Sequence, residues 1–376
     1  MLIVTKPRIR IAHLILQLDI GGLERVMLNT IKRMQETNEE YEHVIVSLTD
    51  ANDFSQQGLL KPVEIHCMHK KPGNDWGLHL RLFKLFRQLN IDVLHSYNLS
   101  TIEYQFVAML AGVKGRVHAE HGRDIGDPQG LNKKHNFLRK LISNFVHRYI
   151  AVSDELYQWL KTTVGIKDNK VTLITNGINT DLFNLPKSSS DQVRFINVAR
   201  LSPIKDHENL LQACEILSND SGLNANWQLT IVGDGPLKEQ LHQSMQAKGL
   251  GEKVTFLGAR NDIAQLISQS DVFVLSSIAE GIPMTILEAM SGSTPVISTA
   301  VGGIPQVITP DVDGYLVENK NAAQLAQAMR NYIENDDLKT THGKAAREKV
   351  LTKFDEKNMV DAYLDCYQQI LKKDKA

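Results

Sequence analysis

The residue pattern best suited to chemistry runs from Ser277 to Gly292, Ser-Ile-Ala-Glu-Gly-Ile-Pro-Met-Thr-Ile-Leu-Glu-Ala-Met-Ser-Gly, directly after the apolar run 272–275. Pro283 suits the first turn of a helix and Gly292 its end, which places Glu280 in the preceding loop and Glu288 inside the helix. Two carboxylates held this way address different parts of one elongated ligand. The backbone amides within Gly281, Ile282, Pro283, Met284 and Thr285, with the positive end of the helix, face a group on which negative charge builds, such as a departing diphosphate. Taken alone, the same two glutamates also read as a helix cap and a surface salt bridge.

A second cluster, Arg200-Leu-Ser-Pro-Ile-Lys205-Asp206, follows the strand-like run 193–199. Two cations flanking a proline turn at a strand's carboxyl end can meet one diphosphate, with arginine, lysine and amides carrying the charge that a metal would otherwise offset. Exposed loop cations are the plain alternative. Near the N-terminus, Asp19-Ile20-Gly21-Gly22-Leu23-Glu24-Arg25 joins a strand to a helical pattern, and two glycines there let backbone amides approach an anion. A tight turn without a ligand fits equally well. Neither Gly21-Gly22 nor Gly233-Asp-Gly-Pro236 matches the dinucleotide pattern G-x-G-x-x-G, since Lys238 occupies the last glycine position of the second, which disfavours a nicotinamide dehydrogenase. The Gly233–Pro236 turn reads as structural.

These residues need elements to hold them. Apolar runs at 9–16, 43–48, 92–96, 116–120 and 148–153 alternate with helical stretches, and the alternation restarts at 193–199, 228–232, 254–257, 272–275 and 295–298. Alternation of this kind predicts βαβ units and a parallel sheet covered on both faces, twice over, with ligands beyond the carboxyl ends of the strands. The α/β expectation is therefore two doubly wound domains facing across a cleft. The polar stretch 187–191 after Pro186 marks the boundary, giving domains 1–187 and 188–354. Residues 355–373 read as a closing helix that packs back on either domain.

At 376 residues, 42% hydrophobic and 23% charged, the chain has the composition of an ordinary two-domain globular protein. Cys67, Cys214 and Cys366 form no Cys-x-x-Cys pair, so neither a zinc site nor a disulfide framework is expected. With no signal peptide and no apolar run of membrane-spanning length, a cytoplasmic protein is expected. Residues 1–185 carry 23 Lys/Arg against 19 Asp/Glu (+4), leaving 19 against 24 (−5) for the remainder of a chain of net charge −1. That near balance, without a basic aromatic face, argues against nucleic-acid binding. The basic excess in the first half suits either an anionic partner or a solvated face.

Taken together, these motifs resemble the retaining glycosyltransferases of family 4, with the GT-B fold. The resemblance spans nearly the whole chain and is densest from Arg194 to Val317, carried by Glu280-x7-Glu288, Arg200–Lys205, Pro295–Ser298, Gly302-Gly303 and Asn176-Gly-Ile-Asn179. It implies a nucleoside diphosphate sugar, UDP- or GDP-linked, as donor substrate and no metal or other cofactor. On this resemblance Glu288 binds the donor ribose, Arg200 and Lys205 hold the diphosphate, and Glu280 contacts the transferred sugar with help from the 281–285 amides. His121, in Ala119-Glu-His-Gly-Arg-Asp124, lies near the sugar, Gly21 and Gly22 approach donor phosphate and acceptor, and Leu257 and Arg260 run under the base. Glu280, His121, Arg200 and Lys205 would be the catalytic set. More narrowly, Glu120–Asp124 and Leu18–Glu24 resemble bacterial exopolysaccharide sugar transferases associated with exosortase systems. That implies a glycan or polyprenyl-diphosphate-linked acceptor at the inner face of the plasma membrane. Residues 78–89 and 133–148, where Phe137, Leu138, Leu141, Ile142, Phe145 and Val146 lie opposite a basic face, fit peripheral contact with an anionic membrane or ordinary packing on the sheet. Two other readings remain: a nucleotide-sugar epimerase of the same architecture, and a non-catalytic nucleotide-sugar-binding protein.

Overall fold

The computed structural model describes residues 8–19, 21–52, 59–124, 126–127, 129–223 and 226–373. The chain divides into two compact units, the first comprising Met1–Gly177 with Glu356–Ala376 and the second Ile178–Asp355. Ile20, in the Gly21-Gly22 motif, lies outside the described residues.

The first unit is built on seven parallel strands: β1 (Ile9–Ile15), β2 (Tyr41–Ser47), β3 (Glu64–Cys67), β4 (Val93–Tyr97), β5 (Gly115–Glu120), β6 (Arg148–Ala151) and β7 (Val171–Leu173), ordered β3-β2-β1-β4-β5-β6-β7. The order reverses between β1 and β4, the switch point at which a crevice opens beyond the strand ends. The helix Trp76–Gln88 has a side-chain N-cap, Asp75 accepting from the Leu78 N–H at 3.2 Å, and it buries Leu78, Leu82 and Phe86 against Ala12, Val44 and Leu94 of the sheet. The helix Asp154–Thr162, capped by Ser153, seals β6 and β7 with Leu156, Trp159 and Leu160. The closing helix Glu356–Lys373 packs in this unit, with Tyr363 and Tyr367 buried and in ring contact with His95.

The second unit carries six parallel strands: β8 (Val193–Val198), β9 (Trp227–Val232), β10 (Val254–Gly258), β11 (Val272–Leu275), β12 (Val296–Thr299) and β13 (Gly314–Val317), ordered β10-β9-β8-β11-β12-β13. Here the switch point lies between β8 and β11. Its core is almost wholly apolar, centred on Phe195, Leu210, Leu211, Trp227, Leu229, Ile231, Val272 and Val274. Fully buried parallel strands of this kind read as the continuous apolar runs seen in the sequence.

The polar stretch 187–191 belongs to the second unit, not to a linker between units. Lys187 Nζ donates to the carbonyls of Ile267 (3.1 Å) and Ser270 (2.9 Å), and Arg194 Nη1 donates to Ser188 Oγ at 2.6 Å. Burial pushes the Lys187 ammonium down to about 8. The chain passes between units at Gly177–Ile178 and Asp355–Glu356, and in the second unit the Ile178 N–H donates to the Phe354 carbonyl at 2.8 Å.

Candidate active site

In the second unit, backbone pairing of β8 with β11 covers only Phe195 and Ile196, so the strands part beyond them. Asn197 fills the opening. Its Nδ2 donates to the Val274 carbonyl at 2.8 Å, which leaves Oδ1 to accept from Nε2 of the buried His207 at 3.0 Å. Burial, with Lys205 adding to it, pushes His207 down to about 4, so the ring is neutral at pH 7.

The loops following these two strands are tied together at backbone carbonyls. Ser276 Oγ donates to the carbonyls of Lys205 and Asp206, both at 2.9 Å, and the Ile278 N–H donates to the Ile204 carbonyl at 2.7 Å. Asp206 adopts a left-handed φ of 45° to turn the chain into the helix His207–Ser218. The outcome is a short contact between two expected site residues, Lys205 Nζ on Glu280 Oε1 at 2.5 Å, with Ser277 Oγ on the same oxygen at 2.5 Å. Arg200 lies on the same loop as Lys205, exposed and without an ion pair among the described residues.

Glycines fit these loops together. A Cβ on Gly302, whose φ is 56°, would lie 1.8 Å from the Glu280 carbonyl oxygen, and the Gly303 N–H donates to the Gly281 carbonyl at 2.9 Å. Gly233 and Gly235 play the same part behind Arg200, where a Cβ would meet the carbonyls of Ala199 and Leu201. Gly281, Ile282, Pro283 and Met284 are buried and Thr285 half-buried at the start of the helix Met284–Ser291, and Glu288 within it is 1% exposed. Leu257 and Arg260 lie at the carboxyl end of β10, an edge strand; both are exposed, and Arg260 forks onto Asp262 at 2.8 and 2.6 Å.

In the first unit, Gly21 caps the helix Gly22–Thr37; a Cβ on Gly22 would meet nothing within 4 Å, whereas one on Gly21 would meet the carboxylate of Glu24, which lies against the helix start. His121 follows β5. Both its ring nitrogens are shielded from solvent and neither has a hydrogen-bond partner among the described residues. Its ring centroid lies 5.6 Å from that of Tyr97. Burial, opposed by Glu120, pushes the imidazole down to about 3, so it is neutral at pH 7.

Beneath His121 lies a charge network that the sequence did not reveal. Glu120 is fully buried and accepts from Arg139 Nε at 2.6 Å, while Arg139 Nη2 reaches Asp124 at 3.1 Å. Burial raises the Glu120 carboxyl, but Arg139 and His118 outweigh it and hold the group below its ordinary value. Arg139, which falls within the stretch 133–148 expected to carry a basic face, is 1% exposed, whereas Phe137 and Leu141 of its helix are 68% and 47% exposed. Its guanidinium also covers the Trp159 ring at 4.9 Å. The sequence also holds an Asp-x-Asp spacing, Asp311-Val-Asp313, which forms a turn ahead of β13. There Asp313 accepts from the Thr309 N–H at 2.7 Å and from Lys349 at 2.8 Å, which commits one carboxylate to structure.

Each sheet thus has a switch point, β1/β4 in the first unit and β8/β11 in the second, beyond which doubly wound α/β domains bind their ligands, and the second is lined by a lysine–glutamate pair and a helix start. Family comparison agrees. Residues 20–182 match the model for Glycosyltransferase Family 4 and residues 180–349 that for Glycosyl transferases group 1. The chain belongs to the GT-B glycosyltransferases. It is 27% identical, over 96% of its length and 97% of the relative's, to the UDP-Gal:alpha-D-GlcNAc-diphosphoundecaprenol alpha-1,3-galactosyltransferase of Escherichia coli. It is 26% identical to the N-acetyl-alpha-D-glucosaminyl L-malate synthase of Bacillus anthracis, over 83% of this chain and 84% of the relative. Among solved structures, Anabaena HepE in complex with UDP and glucose matches 96% of this chain and 100% of its own, with a TM-score of 0.80 at 20% identity.

Proposed function

We propose that this glycosyltransferase moves a sugar from a UDP-sugar to a polyprenyl-diphosphate-linked glycan, without a metal and with retention of anomeric configuration. The observation that carries the donor half is the meeting of Lys205, Glu280 and the 281–285 helix start at the β8/β11 switch point. The Escherichia coli relative, named for a diphosphoundecaprenol acceptor and a UDP-linked donor, and the UDP complex of HepE support the choice of acceptor and base.

In this reading Glu288 holds the ribose, Arg200 and Lys205 hold the diphosphate, and Leu257 and Arg260 border the base. Glu280 and the shielded nitrogens of His121 meet sugar hydroxyls, which would satisfy polar atoms that are costly to leave unpaired. Gly21 and Gly22 admit donor phosphate and acceptor. The bond from the anomeric carbon to the β-phosphate oxygen breaks and that from the acceptor hydroxyl forms on the same face. The departing phosphate takes the acceptor proton. Arg200, Lys205 and the helix amides bind that phosphate more strongly as charge builds on it, which is where rate enhancement arises. Lys205 must exchange part of its contact with Glu280 for phosphate, so the pair also holds both groups in position before the donor arrives.

No described helix is long and apolar enough to cross a membrane. Exposed Trp76, Leu80, Phe137 and Leu141 beside Arg87, Lys133 and Lys140 suit peripheral contact with an anionic bilayer, from which a lipid-linked acceptor would be reached. The test is release of nucleoside diphosphate from a panel of UDP, GDP and ADP sugars without metal, for wild type beside Glu288→Ala and Arg200→Ala. Release from a UDP-sugar, stimulated by polyprenyl-diphosphate glycan and lost in both variants, is expected. Sugar interconversion without release would point to an epimerase, and binding without turnover even with acceptor to a non-catalytic protein.

A further inference from the structure

Asn98 follows β4 at the switch point of the first sheet and has φ 58° and ψ 171°. That region is occupied almost only by glycine, because a Cβ there crowds the backbone. The backbone of Asn98 is fully engaged: its N–H donates to the Ala119 carbonyl at 2.8 Å and its carbonyl accepts from the Thr101 N–H at 3.2 Å. Glycine would make both contacts without strain. What glycine lacks is the side-chain oxygen, and Asn98 Oδ1 accepts from the His121 N–H at 2.8 Å.

We propose that Asn98 is a positioning residue for His121, held in a glycine conformation because its side chain fixes the backbone from which the His121 ring projects. Tyr97, one residue earlier, lies against that ring, so adjacent residues at the end of β4 set both the amide and the imidazole of His121. With neither ring nitrogen hydrogen-bonded to described protein groups, the ring takes its aim from this backbone and from Tyr97. The inference rests on the reading of His121 as a residue that meets the transferred sugar.

Two substitutions separate positioning from folding. Asn98→Gly removes the acceptor while relieving the backbone, and Asn98→Asp keeps an oxygen where Oδ1 stands. Deuterium exchange at the His121 amide is followed in the intact protein, together with the thermal midpoint and UDP release from UDP-glucose, UDP-galactose and UDP-N-acetylglucosamine. For Asn98→Gly the expected result is a midpoint equal to or above wild type, faster exchange at His121, and kcat lowered about tenfold or more with donor KM within about twofold. Asn98→Asp should keep the amide protected and most of the turnover. Unchanged exchange in Asn98→Gly overturns the proposal, as does faster exchange with kcat within about twofold of wild type. His121→Ala distinguishes the two levels: wild-type turnover there removes His121 from the active site and the inference with it, whereas loss in His121→Ala without loss in Asn98→Gly defeats the role of Asn98 alone.

Discussion

The two sheets present their switch points with opposite construction. In the first unit the strands around the reversal carry polar rings: His13 lies between Tyr97 (2.9 Å) and His43 (3.1 Å), His95 reaches Tyr367 at 2.7 Å, and His118 bonds Ser96 at 2.8 Å. In the second unit the equivalent strands carry Phe195, Ile196, Leu229, Ile231 and Val272–Leu275, and Asn197 bridges the opening. One site is therefore supported mainly by side chains bonded to side chains in the core, the other mainly by loops that meet at backbone groups, with Asn197 and His207 as its buried polar pair. The first arrangement places ionisable groups where their charge state affects stability. The second concentrates charge at the surface of the site, where it affects chemistry.

If that contrast is right, the largest single effect on stability should come from the first unit. Arg139→Ala leaves Glu120 buried without its guanidinium partner, with only the longer 3.4 Å contact from His118, and removal of one partner of a buried pair costs about 3–5 kcal/mol. Denaturant unfolding followed by Trp159, against which Arg139 packs, should show an early transition of this unit, and the double variant Glu120→Leu, Arg139→Met should recover much of the loss. A cost under about 1 kcal/mol would mean that the pair is open to water in solution.

Acid should separate the units next. Burial pushes His43 down to about 4, and His13 and His95 well below the ordinary value, each first by burial. A depressed histidine stays neutral in the folded chain while the unfolded chain takes up its proton, so its contribution is present above pH about 6.5 and is lost as the pH falls. For His43 alone the loss by pH 4 is about 3 kcal/mol. The second unit has His207, at about 4, and His342, lowered less simply because Asp311 and Asp313 oppose its burial. Hydrogen exchange corrected for intrinsic rates should show β1 and β4 losing protection between pH 7 and 5 before β8 and β11. Simultaneous loss, or the reverse order, would break the comparison.

In the second unit the expected effect is kinetic. Lys205→Ala should lower kcat/KM by roughly 2–4 kcal/mol in transition-state stabilisation, by analogy with loss of an oxyanion donor, with a small shift in thermal midpoint because the Lys205–Glu280 pair is partly exposed. An equal loss of stability and turnover would make the pair a structural clasp.

The same contrast governs how much could be read from the sequence. The central strands β1, β2, β4, β8, β9 and β11 are buried on both faces and announce themselves as apolar runs. The three strands that were missed, β3, β7 and β13, are all at sheet edges, short and partly exposed, so their composition is that of loops. The donor-side residues were legible because they are local: Glu280 and Glu288 share one loop and helix, and Arg200 and Lys205 share one turn. Arg139 and Glu120 are 19 positions apart on a helix and a strand, and nothing in a single sequence tells a buried arginine from a solvated one when its helix also carries Lys133, Lys134 and Lys140. Asn98 left no signal either, since its strain exists only in the fold. The boundary was misplaced because Lys187 looks like linker chemistry but is drawn into the second unit by three oxygen acceptors.

The smallest expected effect is also the most discriminating for the donor site. Arg260 was assigned to the base through family resemblance, yet it is exposed and forked onto Asp262, two residues away on the same loop. A contact of this kind contributes little to folding, so Arg260→Ala should leave the thermal midpoint unchanged. Its effect on the donor depends on whether the guanidinium leaves Asp262. If it stays, Arg260→Ala and wild type should share one donor KM, and Leu257→Ala, which removes an exposed apolar surface at the end of β10, should be the variant that raises it. If it swings onto the nucleotide, Arg260→Ala should raise KM with kcat unchanged, the pattern of uniform binding lost, and Asp262→Ala should lower KM by freeing the arginine. Measuring the three variants against one UDP-sugar therefore decides whether the edge of the second sheet takes part in donor binding through charge or through apolar cover.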